Sequence, residues 1–158
     1  MLMADNMLGT LAKWLRVAGV DCEYADGMDD EELLEVASGG RTVLTRDRLL
    51  AQRCGDMGLY IPSDDLEEQL VQVMKAFPDA TEGGPLSRCL VCNVPVETAS
   101  PGDVDGSVPE GVMERHQEFW MCPRCGRAYW AGSHVDDMLN RLSAIKERAR
   151  ERPDEGPA

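Results

Sequence analysis

The chain predicts an α/β fold followed by a small cysteine-held unit, and three observations carry that expectation. Through residue 80, short β-rich runs alternate with helical patterns of two to three turns. Such alternation implies right-handed crossovers and a parallel sheet flanked by helices. Four of the six cysteines then stand in two tight pairs, Cys89-Leu90-Val91-Cys92 and Cys122-Pro123-Arg124-Cys125. Between the two regions, Pro78 to Pro85 (PDATEGGP) has the composition of a linker.

Each element follows from its residues. Met1 to Ala4 is a short apolar run ending at Asp5, a first strand. Leu8, Leu11, Ala12, Leu15 and Ala18 keep helical spacing, and Gly19 supplies a stop. Val20 to Tyr24 alternates like a strand. Asp29 with Glu32 three residues on forms a capping pair that opens a helix through Leu33, Leu34 and Ala37, closed by Gly39-Gly40. Thr42 to Thr45 is a compact β-rich run, followed by a helical stretch from Asp47 to about Cys54. Leu59-Tyr60-Ile61 is a fourth strand, and Leu66, Leu70, Val73, Met74 and Phe77 mark an amphipathic helix. The expected organisation is an α/β domain over 1–80, a ribbon over 86–134, a C-terminal helix over 135–151 and a disordered tail over 152–158.

Composition narrows the function classes. The 158 residues are 43% hydrophobic and 28% charged, which excludes a collagen-like repeat, a coiled coil or a mostly disordered chain. The net charge of −13 argues against a broad polybasic face for nucleic acid or anionic lipid. Residues 1–80 hold seven Lys+Arg and sixteen Asp+Glu, a net of −9, so most of the excess lies on the first half. No apolar run approaches the roughly 20 residues needed to span a bilayer. The N-terminus has no basic-then-apolar pattern of a signal peptide, and the expected location is the cytoplasm.

Open parallel sheets bind ligands at the carboxyl ends of their strands. Asp5 ends the first strand, Asp47 follows the Thr42–Thr45 strand, and Asp30 opens the helix after the second strand. These acids are therefore expected at one rim, where Mg²⁺ or Mn²⁺ would relieve their mutual repulsion and assist phosphodiester hydrolysis. The plainer alternative stands beside it. Asp29 is an N-cap, Asp30 and Glu31 complement a helix dipole, and Asp64 or Asp65 caps the next helix or serves as a fourth site acid.

The cysteine pairs are separated by 29 residues. Two CxxC knuckles suit one tetrahedral Zn²⁺, and with all four thiolates engaged the ion is structural. Two disulfides or redox centres are the alternative, but the pairs lack a thioredoxin-like βαβ context. The spacing exceeds the common one, so the loop from Ser100 to Pro109 is expected to bulge out. Cys22 and Cys54 read as ordinary thiols. Trp120, Tyr129 and Trp130 are either the ribbon's mini-core or a stacking platform for bases. His134 is a phosphate donor or a structural residue. Arg124 and Arg127 beside the second knuckle, with Lys13 and Arg16 on the first helix, are candidate phosphate contacts or simply solvated charges.

Several motifs together resemble a known family. Asp5-x-Met7-Leu8-Gly9-x-Leu11-Ala12-x-Trp14-Leu15-Arg16-x-x-Gly19-x-Asp21 is similar to the opening of the Mut-seven C-terminal RNase domain family. Asp30-Glu31-Glu32-Leu33 and Thr45-Arg46-Asp47-Arg48-x-Leu50-Ala51 continue the likeness in order. Arg88-Cys89-x-x-Cys92-Asn93 and Cys122-Pro123-x-Cys125-Gly126-x-x-Tyr129-Trp130-x-Gly132-Ser133-His134 complete it. The resemblance implies a PIN-like nuclease domain with a zinc ribbon. It also implies a Mg²⁺- or Mn²⁺-dependent ribonuclease with Asp5, Asp30 and Asp47 as metal-binding acids.

The expected function is hydrolysis of RNA phosphodiester bonds, with Arg16, Arg46 and Arg48 positioning phosphate or bracing the acids. The ribbon, held by zinc on Cys89, Cys92, Cys122 and Cys125, would fix the tail and help bind RNA through Arg124 and Arg127. The rival expectation is a non-catalytic zinc-ribbon protein that docks RNA or a ribosomal partner. A toxin-like nuclease ranks third. RNA is the expected partner and a membrane is not; a protein partner and the oligomeric state are open.

Overall fold

The structure, a computed structural model, describes residues 1–81 and 83–151. The tail expected over 152–158 lies outside the described residues. A four-stranded sheet forms the centre, with β1 (Leu2–Ala4), β2 (Cys22–Tyr24), β3 (Thr42–Thr45) and β4 (Gly58–Tyr60) in the order β2-β1-β3-β4. Every neighbouring pair is parallel, and Leu2 lies opposite both Cys22 and Thr42. The two central strands, β1 and β3, are buried along their whole length because both faces of the sheet are covered there.

Alternation along β1 sends Leu2 and Ala4 into one core and Met3 into the other. The first core joins the sheet to α1 (Gly9–Val17) and α4 (Leu66–Ala76) through Leu11, Leu15, Leu70 and Val73. The second joins it to α2 (Asp30–Ser38) and α3 (Arg48–Cys54) through Leu33, Ala37 and Leu50. The C-terminal helix α6, which follows the ribbon in sequence and spans Val135–Arg150, returns to this half. It buries Leu142 and Ile145 in the first core. Arg141 fixes it there, donating to Glu67 at 3.0 Å and lying 5.0 Å from the Trp14 ring centroid.

Backbone approach sets the opposite edge. A Cβ on Gly58 would run into the Ala51 carbonyl oxygen and lie 2.8 Å from the Cys54 Cβ. Only glycine lets α3 lie this close to β4.

The ribbon is a three-stranded antiparallel sheet, β5 (Glu97–Ala99), β6 (Phe119–Met121) and β7 (Ala128–Trp130), with the short helix α5 (Glu110–Arg115) between its first two strands. The segment from Ser100 to Pro109 does not simply bulge away as its length suggested. Val104 is fully buried against Phe119 and Ala99 and tethers it to the ribbon core. Trp130 packs on the same cluster.

The ribbon is joined to β2, which is an edge strand of the large sheet. Asn93, in a left-handed conformation at φ +62°, accepts from the Cys22 amide at 3.1 Å. Its amide nitrogen donates to Asp21 at 2.8 Å and to Glu23 at 3.2 Å. The exposed ladder of an edge strand is thereby paired with a side chain. Leu86 adds a backbone bond to the Val17 carbonyl at 2.8 Å, so the expected linker ends packed on α1.

Candidate functional site

The strand order reverses between β1 and β3, since β2 lies on one side of β1 and β3 on the other. Ligands in open α/β sheets bind in the crevice at that point, beyond the carboxyl ends of the strands. Asp5 follows β1 and Asp47 lies two residues past β3, so these two acids flank the crevice.

A single hydroxyl links them. Thr45, fully buried, donates to Asp5 Oδ2 at 2.8 Å and accepts from the Asp47 amide at 3.0 Å. The Asn6 amide donates to Asp5 Oδ1 at 2.6 Å. Asp5 is thus held at 8% exposure with both oxygens oriented. Asp47 is also the N-cap of α3, where its Oδ1 accepts from Leu49 and Leu50 at 2.9 and 3.2 Å. Its Oδ2 takes no hydrogen bond among the described residues.

Asp30 enters differently. Asp29 closes a capping box with Glu32, and Asp30 is exposed in the first turn of α2. Glu31 beside it pairs with Arg53 at 2.6 Å, in the last turn of α3. α2 therefore begins near the end of α3 that Asp47 does not cap. Among the described residues, Asp5, Asp30 and Asp47 do not form a group with carboxylate oxygens within 4.8 Å of one another.

The expected basic residues divide. Arg16 does not face solvent as a phosphate contact would. It is 7% exposed and donates to the carbonyls of Cys22 at 2.8 Å, Leu90 at 2.8 Å and Val91 at 3.3 Å. Its role is to brace the first knuckle against β2. Arg48 lies 5.2 Å from the Tyr60 ring centroid, a cation–π contact at the edge of the crevice. Arg46 lines a cleft beside Met7 and Asp64. Arg124 and Arg127 are exposed on the second knuckle.

The cysteine pairs converge as their spacing predicted. The sulfurs of Cys89, Cys92, Cys122 and Cys125 all lie within 4.8 Å of one another, and none is in a disulfide. The Cys89–Cys125 separation is 3.8 Å. A tetrahedron with Zn–S bonds of about 2.3 Å has sulfur–sulfur edges of about 3.8 Å, so this donor set fits zinc. The two knuckles repeat one geometry. The Cys92 amide donates to Cys89 Sγ at 3.4 Å, and the Cys125 amide to Cys122 Sγ at 3.5 Å.

Tyr129 was not separable from its aromatic neighbours in the sequence. Its hydroxyl lies 3.1 Å from Cys89 Sγ and accepts from the Leu90 amide at 3.1 Å. Burial opposes ionisation of Cys89, but Tyr129 and the amides of Cys92 and Val91 outweigh it and hold the thiol near 6. Such partners orient and tune metal ligands. Cys22 is the opposite case: burial pushes its thiol up to about 12, leaving it an inert core residue.

No helix among the described residues is long and apolar enough to cross a membrane. No curated protein and no solved structure matches the chain. A family model described as the Mut7-C RNAse domain matches residues 1–142, which include the sheet, both acids of the crevice, the four cysteines and the start of α6. The chain belongs to the Mut7-C RNAse domain family.

Proposed function

We propose that this chain is a metal-dependent ribonuclease that hydrolyses RNA phosphodiester bonds at the crevice between β1 and β3, with a structural zinc in the ribbon. The observation that carries the reading is the Asp5–Thr45–Asp47 link at the sheet's switch point. A buried carboxylate and a second one with an unengaged oxygen are the hard, anionic donors that Mg²⁺ or Mn²⁺ selects. Asp5 and Asp47 would hold the ion, and Asp30 would complete the acidic set from the start of α2. A divalent ion bound there supplies Lewis acidity toward the phosphate and an activated water for in-line attack.

The chain's own residues prepare that chemistry. Thr45 and the Asn6 amide orient the Asp5 carboxylate before any ligand arrives. The N-cap role of Asp47 fixes its side chain to the first turn of α3 while leaving Oδ2 to face a cation. Arg48 follows Asp47 in sequence and would take a phosphate oxygen. Zinc on the four thiolates would hold the first knuckle, through which Asn93 and Arg16 join the ribbon to β2.

The test is cleavage of labelled RNA with added Mn²⁺ by the wild type and Asp47→Asn. Asparagine is as good an N-cap as aspartate, so this change keeps α3 and removes the charge. Cleavage by the wild type alone supports the reading; equal cleavage by both sinks it. A second reading, a non-catalytic zinc-ribbon protein that binds RNA or a ribosomal partner, is favoured by the missing close triad of acids. It predicts RNA binding that survives Asp5→Asn and Asp47→Asn but fails after Arg124→Ala and Arg127→Ala.

A further inference from the structure

Beside Asp5, the carboxyl edge of the sheet opens into a cleft of about 270 Å³ whose lining includes Met7, Thr10, Arg46, Asp64, Leu66 and Gln69. Two of its lining residues are sequence neighbours of the crevice acids: Met7 lies two residues after Asp5, and Arg46 immediately precedes Asp47. Its lining is more polar than apolar, and its polar groups are of both kinds. Arg46 Nε is the one buried side-chain nitrogen or oxygen without a hydrogen bond among the described residues. Arg46 Nη2 donates to the Pro62 carbonyl at 3.5 Å, and its Nη1 makes no hydrogen bond among the described residues, which leaves that nitrogen as a donor.

The acceptors are equally unclaimed. Asp65, not Asp64, caps α4, taking the Glu68 amide at 2.9 Å. The Asp64 carboxylate makes no hydrogen bond or ion pair among the described residues. Gln69 donates to the Ser63 carbonyl at 2.8 Å, which leaves its Oε1 as an acceptor. The cleft therefore offers a cationic donor, a carboxylate and an amide oxygen, with the side chains of Met7 and Leu66 beside them. A volume of this size is near the small end of ligand sites and suits a single ring system.

We infer that the cleft is a base subsite that reads an unpaired guanine next to the cleaved phosphodiester. A carboxylate is best satisfied by two N–H donors side by side. Among the RNA bases only guanine presents such a pair, N1–H and the N2 amino group, with the O6 acceptor adjoining them. Adenine and cytosine offer one amino group beside a ring acceptor, and uracil one N–H between two carbonyls. Asp64 takes the donor pair, Arg46 donates to O6, and Met7 and Leu66 cover the ring. Since the Watson–Crick edge is what is read, the base enters only when unpaired.

The inference rests on the ribonuclease reading, but its test does not require cleavage. Zinc-loaded full chain is titrated calorimetrically with GMP, AMP, CMP and UMP, without added Mg²⁺ or Mn²⁺. GMP is expected to bind at least tenfold more tightly than the other three, and Asp64→Asn to abolish the preference. Met7→Trp, at a residue 65% exposed, is expected to block the mouth and weaken GMP binding without unfolding the chain. Four equal affinities, no GMP binding at millimolar concentration, an undiminished preference in Asp64→Asn, or undiminished GMP binding by Met7→Trp would overturn the subsite. A parallel RNA digest separates the two ideas. GMP preference without cleavage removes the ribonuclease and keeps the subsite; cleavage with no GMP preference does the reverse.

Discussion

Replacing Thr45 by valine tests the link between the two crevice acids directly. The change conserves shape but removes the hydroxyl that donates to Asp5 and accepts from the Asp47 amide. A hydrogen bond to a charged group contributes about 1.5–3 kcal/mol net, and a neutral one about 0.5–1.5 kcal/mol. Thr45 is fully buried, so no water replaces the lost partner. The expected destabilisation is about 2–4 kcal/mol, which for a chain of this length lowers the melting temperature by roughly 4–16 °C. Urea unfolding at constant zinc measures it. Thr45→Ser keeps the hydroxyl and should lose only about 1 kcal/mol for the missing methyl group. A Thr45→Val loss below about 0.5 kcal/mol, or one no larger than that of Thr45→Ser, would show that the hydroxyl does not link the two acids.

Other consequences follow from the packing and the metal centre. Gly58→Ala is expected to destabilise the fold by about 1–3 kcal/mol, because its Cβ collides with the Ala51 carbonyl; urea midpoints give the value. Removing zinc with a chelator should deprotect the Cys22 amide in hydrogen exchange far more than the Leu44 amide, since Cys22 depends on Asn93 in the first knuckle and β3 does not. Equal protection of Cys22 with and without zinc would contradict the coupling. Burial raises the Asp21 carboxyl, but hydrogen bonds from Arg41 and Asn93 outweigh it and hold it below the ordinary aspartate value of 3.8. A depressed folded-state value stabilises above the unfolded value, and that stability is lost as pH falls through the folded one. Between pH 6 and pH 2, wild type should therefore lose more stability than Asp21→Asn, as read by urea midpoints; parallel losses would show that Asp21 contributes nothing.

What the sequence made legible was set by local chemistry. Strand–helix alternation identified the sheet, and the Asp29–Glu32 spacing identified a capping box. The two CxxC pairs identified a four-sulfur site, because their geometry is imposed by knuckles of four residues. The losses all involve distant partners. Arg16 looks like any helix arginine until Leu90 and Val91, 74 and 75 residues later, meet its guanidinium. Asn93 gives no sign of capping β2, since its conformation depends on the knuckle turn. Asp30 is exposed in the first turn of α2, and its place relative to Asp5 and Asp47 depends on how α2 packs on α3. Asp47 has a second role that the sequence did not reveal: it caps α3 with one oxygen and leaves the other at the crevice.

The acidity of residues 1–80 also gains a location, because two of their sixteen acids flank the crevice and a third, Asp64, lines the adjoining cleft. The proposed mechanism requires Asp5 and Asp47 to hold a divalent ion between them. A crystal of the zinc-loaded chain soaked in Mn²⁺ and measured for anomalous scattering tests it most directly. A peak is expected within coordination distance of an Asp5 oxygen and Asp47 Oδ2, absent from crystals of Asp47→Asn. A crevice without a peak at saturating Mn²⁺, or a peak that persists in Asp47→Asn, would contradict it.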